Sequence, residues 1–357
     1  MTPISICIIA KNEEKHMDNF LSSIQKHMGS YPYEIVLVDT GSTDATVELA
    51  HKYTDKIFFF DWIGDFSAAR NYSIQCASND WILVLDCDEY IYEATPALLD
   101  IMVQKHPRHI GMITIRNHYK TGQINGIHTV LMERFFNRNF FHYESAIHEQ
   151  LKPLNPEHTQ ERFNISLTVE HYGYTGTSEE LAAKANRNNE LLLKMLEETP
   201  DDAYLYFQLG QSYSMINDAE KACYYYGCGL DYATNPKLEY VQLMVVGYGY
   251  ALIDLEQYED ALMLINLYDD FGHIADFVCL IGIIYLRNGM INEALQEFQQ
   301  ATTIKKAHVE GANSFIPNFN MGCIHEVLGN SDTAIESYKR CGSFPAALER
   351  LRTLGIS

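Results

Sequence analysis

An apolar segment runs directly into three acidic residues in WILVLDCDEY, residues 81–90. The apolar part is typical of a strand that is buried on both faces, where an unpaired carboxylate would be costly. Asp86, Asp88 and Glu89 therefore need either water or a bound ligand at the end of this strand. A solvated acidic turn is the structural alternative to a binding site.

Polar residues also end or follow two other predicted strands. The segments ISICIIA, EIVLVD, KIFFF and WILVL alternate with helical stretches, which predicts βαβ units and a mostly parallel sheet. KNEE follows the first strand, DTGSTD ends the second, and DCDE follows the fourth. Ligands of such sheets bind at the carboxyl ends of the strands, near the topological switch point. We therefore expect these polar segments to share one ligand site.

Composition limits the classes of partner. The chain has 357 residues, enough for two domains, and its formal net charge of -21 argues against nucleic acid as the main partner. The segment MTPISICIIAKNEE has no basic start, and its apolar run is too short for a signal peptide or a membrane span. The eight cysteines form no CxxC pair, which favours reduced thiols. We expect a cytoplasmic protein without a membrane span.

The chain becomes helical and repetitive near residue 178. A Gly and an Ala recur twelve positions apart, and a large residue follows each Ala by four positions. Small residues at these points let the paired helices of a tetratricopeptide repeat approach closely, and the large residue fills the groove between them. We predict about four helical hairpins, with unrelated hairpins as the alternative. The sets are Gly210, Ala222 and Tyr226; Gly249, Ala261 and Ile265; Gly282, Ala294 and Phe298; and Gly322, Ala334 and Tyr338.

Together these segments carry a family resemblance. ISICIIAKNEE, the stretch from EIVLVDTGSTD to FSAARNYSI, and DWILVLDCDEY resemble family 2 nucleotide-sugar glycosyltransferases of the GT-A fold, in order and spacing, over residues 3–175. The resemblance implies an α/β, Rossmann-like GT-A domain with a mostly parallel sheet over residues 1–177. An all-α tetratricopeptide-repeat superhelix is expected over residues 178–357. This architecture is similar to bacterial transferases that glycosylate bacteriocin peptides or flagellin.

Asp86, Cys87 and Asp88 have the DxD pattern that in this family binds a metal and the ribose or phosphates of the donor. A nucleotide diphosphate is a poor leaving group unless its developing charge is neutralised, which carboxylate-held Mn²⁺ or Mg²⁺ can do. An alternating strand would send both carboxylates to one face, and Glu89 would cap the next turn. In related transferases a His at a later strand's end completes the metal shell. The resemblance therefore implies Asp86, Asp88 and His171 as ligands, with a structural His171 as the alternative.

The nucleoside part of the pocket is expected at the earlier strand ends. By resemblance, Asp39 hydrogen-bonds the uridine, while Gly41 allows a tight turn and Asp44 caps the next helix. The same resemblance places Asn12 and Glu13 at the donor. Ala10 is expected to pack beneath the base.

Arg70 is the predicted cation of the donor pocket. Ser67 in DFSAARN has the character of an N-cap, which places Arg70 one helical turn further on. By resemblance, Arg70 contacts the base or a phosphate of the donor. A surface pair between Arg70 and Asp65 is the alternative.

The acceptor side depends on a general base. A hydroxyl or thiol that attacks an anomeric carbon needs one, and a single carboxylate suffices in an inverting enzyme. The segment YESAIHEQL resembles the family's segment beneath the sugar, which makes Glu149 the predicted base and His148 a residue that orients it or binds the donor. Glu144 and Glu133 are rivals, and either could instead pair with Arg134.

The predicted function is a metal-dependent inverting glycosyltransferase that moves a hexose or N-acetylhexosamine from a UDP-sugar, UDP-GlcNAc or UDP-glucose. Repeats commonly bind peptides, so the expected acceptor is a Ser, Thr or Cys side chain of a protein such as flagellin or a bacteriocin. A polysaccharide or lipid-linked glycan as acceptor, or a non-catalytic repeat scaffold, remain alternatives. Repeat faces often dimerise, so a homodimer is compatible with the sequence.

Overall fold

The chain folds into a unit built around a β-sheet and a unit of helical hairpins. The computed structural model describes residues 1–121, 124–174 and 178–356. The first unit is Met1–Lys184 and the second Ala185–Ser357, so the division falls inside the helix Ser178–Glu198. The boundary predicted after residue 177 lies outside the described residues.

The first unit contains ten strands and four helices among its described residues, before the helix at the division. The strands are β1 Ile4–Ala10, β2 Tyr33–Asp39, β3 Ile57–Phe59, β4 Trp81–Val84, β5 Glu89–Ala94, β6 Ile110–Thr121, β7 Ile124–Asn137, β8 Phe141–Glu144, β9 Gln150–Pro153 and β10 Arg162–Tyr174. The helices are α1 Glu14–Met28, α2 Thr46–Ala50, α3 Phe66–Cys76 and α4 Pro96–Lys105.

The main sheet has a topological switch beside β1. Its strand order is β3-β2-β1-β4-β7-β6-β10-β5, and β3, β2, β1 and β4 are parallel. The chain pairs β2 on one side of β1 and later returns to pair β4 on the other side. Strand β7 then lies antiparallel to both β4 and β6. A ligand is therefore expected at the carboxyl ends of β1, β2 and β4.

Apolar residues on both faces hold this sheet in place. Ile4, Ile6 and Ile8 of β1 pack toward α1, whereas Cys7 faces the opposite core with α3 and β8. The amphipathic helix α1 contributes Phe20, Leu21 and Ile24 to the first core. Burial on both sides explains why the central strands read as continuous apolar runs in the sequence.

The second unit contains helices only among its described residues. They are α5 Ser178–Glu198, α6 Ala203–Met215, α7 Ala219–Tyr232, α8 Glu239–Asp254, α9 Tyr258–Ala261, a 3-10 helix Leu262–Leu267, α10 Tyr268–Phe271, α11 Ala275–Arg287, α12 Ile291–Ala301, α13 Phe315–Val327, α14 Ser331–Arg340 and α15 Pro345–Thr353. Of these, α6 with α7, α11 with α12 and α13 with α14 pack as successive pairs.

Three of the four predicted pairs of a Gly and a large side chain are in contact. A Cβ on Gly210 would meet the Tyr226 ring, and the same relation joins Gly282 to Phe298 and Gly322 to Tyr338. Glycine at each position therefore permits the close approach of the two helices.

The second set differs from the prediction. Leu264 and Leu280, rather than Ile265, lie nearest to a Cβ on Gly249. Here α9 continues as the 3-10 helix Leu262–Leu267. A 3-10 helix has three residues per turn instead of 3.6, so the side chain that faces Gly249 comes one position earlier in the sequence.

The predicted α/β domain followed by a repeat domain is confirmed, with local corrections at three element ends. Strand β4 ends at Val84, so Asp86 and Asp88 lie in a turn, and strand alternation does not govern them. Asp65, not Ser67, is the N-cap of α3: its Oδ1 accepts from Ala68 N at 2.9 Å. The helix expected from Asp44 begins at Thr46, whose N–H donates to Asp44 Oδ1. No helix within the described residues is long and apolar enough to cross a membrane.

Candidate active site

Asp39 presents an unpaired acceptor at the carboxyl end of β2. Its side chain is buried, and Oδ2 accepts hydrogen bonds of 2.9 Å from both Gly41 N and Ser42 N. Gly41 has a φ of 104°, which permits this tight turn. The other oxygen, Oδ1, is buried and has no hydrogen-bond partner within the described part of the chain. An unpaired buried acceptor is costly, and a ligand N–H would satisfy it.

The residues that follow β1 have different roles. Asn12 has a φ of 56°, and its Oδ1 accepts from Thr43 N, so its side chain supports the loop after β2. Glu13 is partly buried, and burial, with the nearby Asp88 charge, raises its pKa to about 7. Ala10 is buried at the end of β1 and its carbonyl accepts from Thr40 N.

Asp86 is held between two arginines. Its Oδ1 accepts from Arg70 Nη2 and its Oδ2 from Arg134 Nη2, each at 2.8 Å. Burial opposes ionisation of Asp86, but the two guanidinium groups outweigh it and hold the pKa well below its usual range. Asp86 is therefore a carboxylate whose two oxygens already have cationic partners.

Arg70 connects Asp86 to the predicted base. Its side chain is 6% exposed, and its Nε donates to Glu149 Oε1 at 2.5 Å. Burial would lower its pKa, but Asp86 and Glu149 outweigh this and raise it. The proposed surface pair with Asp65 is wrong, because α3 points Arg70 inward to these two carboxylates. Its Nη1 is buried without a partner in the described chain, and it can donate to a ligand.

Arg134 was missed as a site residue by sequence reasoning. Its Nη2 also donates to Glu89 Oε1 at 2.8 Å, and burial keeps the pKa of Glu89 above its ordinary value despite this contact. Glu89 also accepts from Asp86 N, so it closes the turn as expected. The predicted partners of Arg134 were wrong: Glu133 pairs with Arg162, and Glu144 with His142.

Asp88 faces away from the arginines, toward β10. Its Oδ2 lies 3.4 Å from His171 Nε2. The opposite ring nitrogen, Nδ1, bonds to Asn117 Oδ1 at 2.6 Å, because His171 and Asn117 are register partners on β10 and β6. This hydrogen bond orients the imidazole as second-shell partners orient metal-binding histidines. Burial lowers the pKa of His171, but Asp88 outweighs it, so the pKa is raised.

The surroundings of Asp88 and His171 fit a divalent cation in part. A Cβ on Gly173 would collide with both His171 Nε2 and Asp88 Oδ2, so glycine keeps this space open. No group of three or more His, Cys, Asp or Glu residues within the described ranges has the arrangement of a metal cage. Mg²⁺ commonly binds only one or two carboxylates and completes its shell with water and substrate phosphates. Asp88 and His171 suit such an open site better than Asp86 does.

Glu149 lies beside a strained loop that separates β8 from β9. Ser145 and His148 have φ values of 79° and 51°, unusual for residues other than glycine. The carbonyl of Ala146 accepts from Phe66 N at 2.8 Å, which joins the loop to the start of α3. Strain of this kind is common where a site must hold a fixed geometry. His148 itself is exposed next to Glu149.

Cys87 differs from its neighbours in the DCD turn. Its side chain is buried in the hydrophobic core below β1 and β4, and its thiol faces the carbonyl of Ile9 at 3.8 Å. Burial raises its pKa well above the ordinary value. The predicted contact of Cys87 with a donor could therefore be made only by its main chain.

Comparison with known proteins gives the family and the order of the domains. Residues 5–163 match the family model described as glycosyl transferase family 2, and residues 191–224 and 275–308 match tetratricopeptide repeat models. The chain carries a family 2 glycosyltransferase domain followed by tetratricopeptide repeats. The predicted family and domain order are thereby confirmed. The matched residues include Asp39, Glu149 and the two-arginine clamp, by which we mean Asp86 with Arg70 and Arg134.

Named proteins align with part of this chain. A TPR repeat-containing protein of Synechococcus elongatus is 32% identical over 59% of this chain and 52% of its own length. The SPbeta prophage-derived glycosyltransferase SunS of Bacillus subtilis is 26% identical over 63% of this chain and 52% of its own. The chain thus spans about half the length of these curated relatives. A structure of S. aureus TarS 1-349 in complex with UDP-GlcNAc is 16% identical, covering 74% of this chain and 92% of that chain, with a TM-score of 0.39.

Proposed function

We propose that this protein is an inverting glycosyltransferase that uses a UDP-sugar donor and a protein or peptide acceptor. The observation that carries the proposal is a pair of unpartnered polar atoms, Asp39 Oδ1 and Arg70 Nη1, both buried in the family 2 domain. Asp39 Oδ1 can accept a hydrogen bond from an N–H of the uracil ring, and the cationic Arg70 Nη1 can donate to the uracil ring or to a phosphate. An idle scaffold would gain nothing from leaving such atoms unsatisfied.

Donor binding is assigned to the strand ends. Asp39 accepts a hydrogen bond from the uridine. Gly41 shapes the turn, and Ala10 packs beneath the uracil ring. The main chain of Asn12 and Cys87 and the carboxylate of Glu13 border the ribose and diphosphate. Arg70 binds the base or a phosphate and simultaneously fixes Asp86.

Asp88 and His171 would hold a divalent cation, Mn²⁺ or Mg²⁺, with Asp86 fixed behind them by its arginines. Such a cation supplies charge neutralisation to the diphosphate as it leaves. The chain orients His171 through its hydrogen bond to Asn117, and Gly173 leaves the space beside His171 and Asp88 open for the cation.

Glu149 is the proposed general base. It takes the proton of the acceptor hydroxyl or thiol as the nucleophile attacks the anomeric carbon opposite the UDP leaving group. Arg70 Nε holds one of its oxygens and leaves the other available for this proton. Glu133 and Glu144 are weaker candidates because each contacts a partner outside the clamp.

The acceptor is assigned to the repeats. From residue 178 onward the sequence has 25 acidic and 12 basic residues. An acidic repeat surface favours a basic or Ser/Thr-rich extended segment, and repeats bind peptides on their concave face. Flagellin-like and bacteriocin-like proteins are acceptors of this class, and a glycan acceptor is the competing outcome.

A donor screen tests the proposal. UDP release would be measured with UDP-GlcNAc, UDP-glucose and other UDP-sugars, with Mn²⁺ and in EDTA, and intact mass would follow candidate acceptors. We expect slow hydrolysis of one donor and a mass increase of one hexose or N-acetylhexosamine on a protein acceptor. Absence of both UDP binding and hydrolysis would favour a non-catalytic scaffold.

A further inference from the structure

Lys184 brings a cation to the DCD turn from outside the family 2 match. It lies on α5, 21 residues beyond the last matched position, and its Nζ is 3.7 Å from Asp88 Oδ2. The Lys184 side chain is 48% exposed, whereas that of Asp88 is 17% exposed. Its ammonium therefore contacts Asp88 on one side and is still accessible from the other.

Carboxylates largely balance the charges of the site's arginines, and Arg70 Nη1 is the atom left to contact a ligand. Arg70 is paired with Asp86 and Glu149, and Arg134 with Asp86 and Glu89. A nucleotide diphosphate would add negative charge to this group of carboxylates. Like charges at short range repel strongly when partly buried, so a cation in addition to Arg70 and the proposed divalent ion would stabilise the diphosphate.

A lysine at the edge of the site suits this need. Its ammonium is a point charge on a flexible stem, which can move a few ångströms without a change in the backbone. The 3.7 Å separation from Asp88 is longer than a close charge-assisted hydrogen bond, so little is lost when the ammonium moves to a phosphate oxygen.

We infer that Lys184 binds the diphosphate of the nucleotide-sugar donor: its ammonium leaves Asp88 to the divalent cation and moves to a phosphate oxygen when the donor enters. This inference rests on the proposed function, because it takes the donor to be a UDP-sugar. It extends the donor site into α5, the helix in which the catalytic unit ends.

The test uses the full chain and two probes, UDP and uridine. UDP affinity would be measured by isothermal titration in Mn²⁺ buffer, and uridine affinity by ligand-observed NMR. Lys184→Ala should weaken UDP binding about tenfold, within the range of a charged hydrogen bond, and leave uridine binding unchanged. Lys184→Arg keeps the charge and should bind UDP within about twofold of the original chain. Lys194→Ala, an exposed lysine of the same helix, is the matched control and should have no effect.

The outcomes separate the two proposals. If the unaltered chain binds neither UDP nor uridine, the proposed donor class is wrong. If it binds UDP and Lys184→Ala binds UDP equally well, the donor class stands and Lys184 is not a diphosphate ligand. Equal weakening of UDP and uridine, with a lowered melting temperature, would also overturn the assignment, because it would show an effect of Lys184 on folding.

Discussion

Arg70 Nε donates a hydrogen bond of 2.5 Å to Oε1 of Glu149, and this contact joins helix α3 to the segment before β9. The same guanidinium reaches Asp86 in the turn after β4. The proposed base is therefore positioned by the residue that also fixes the first acid of the DCD turn. The proposed donor side and the proposed acceptor side of the site share one buried cation, Arg70.

The first prediction concerns Glu149→Gln. Glutamine keeps the size of the side chain and an oxygen for Arg70, but it cannot take a proton. Sugar transfer should fall by about 10²-fold or more, the usual scale for a general base, whereas UDP affinity should change little. Initial rates of transfer and UDP titration would measure the two effects.

Two rival acids serve as controls for that experiment. Glu144→Gln removes the carboxylate charge next to His142, and Glu133→Gln removes the one next to Arg162, both outside the clamp. Each should retain most of the transfer rate. Normal transfer by Glu149→Gln together with a large loss in either rival would place the base at that rival.

A second prediction concerns Arg70→Lys. Lysine has one terminal nitrogen and cannot reach Asp86 and Glu149 with the fork of a guanidinium, so either Glu149 loses its cation or Asp86 keeps only Arg134. Removing one member of a buried ion pair costs about 3–5 kcal/mol, and we expect a lower melting temperature together with weaker UDP binding. Arg162→Lys, at a half-exposed pair, should change neither quantity. An unchanged melting temperature for Arg70→Lys would contradict a structural clamp.

Local patterns in the sequence were sufficient to locate the acids but not their partners. Asp39, Asp86 and Asp88 follow apolar runs, and parallel topology brings those strand ends together. Arg134 lies 45 residues from Glu89, on a strand that enters the sheet antiparallel between β4 and β6. Its register with β4 depends on tertiary pairing, which no local pattern encodes. Ile265 was misplaced for a related reason, since a short 3-10 segment shifts the helical phase.

The third prediction is that Gly173→Ala abolishes tight Mn²⁺ binding. The added methyl group would occupy the space between His171 Nε2 and Asp88 Oδ2, which the glycine leaves open. Mn²⁺ binding would be followed by electron paramagnetic resonance in the presence of UDP, whose phosphates would complete the shell of the ion. Gly227→Ala is a suitable control, because a Cβ there meets Tyr248 at an ordinary 3.4 Å. Unchanged Mn²⁺ affinity in Gly173→Ala would show that the cation binds elsewhere or not at all.

A fourth prediction concerns how the stability of the fold depends on pH through Glu34, which lies near the start of β2, whereas Asp39 lies at its end. Glu34 has a side chain that is 14% exposed, and it accepts hydrogen bonds from Lys56, Ser5 and Ser78 N. Burial would raise the pKa of Glu34, but these donors outweigh it, so the pKa is lowered in the folded chain. The resulting stabilisation is complete above the unfolded pKa of about 4.3 and is lost as the pH falls through the lower folded value.

Glu34→Gln should therefore lower the free energy of unfolding by about 1–3 kcal/mol at pH 7. The deficit relative to the unaltered chain should shrink as the pH is lowered toward 3. Urea unfolding at several pH values would measure it, with Glu48→Gln, an exposed acid, as the control. A deficit that stays constant with pH would mean that the lost stability comes from packing rather than from the ionised carboxylate.

The last prediction is that the repeats select the acceptor. A chain that ends at Glu190 retains Lys184 and leaves out Leu191 and Leu192, which are buried in the repeat unit. If this shortened chain keeps the melting transition of its sheet, it should hydrolyse the donor slowly and bind UDP as well as the full chain does. Transfer to a protein acceptor should fall by about 10²-fold, because the acidic repeat surface proposed to recognise the acceptor is missing while the proposed catalytic residues are intact. Equal rates of acceptor glycosylation by the shortened and full chains would remove the main support for a protein acceptor, and the repeats would then serve assembly or stability.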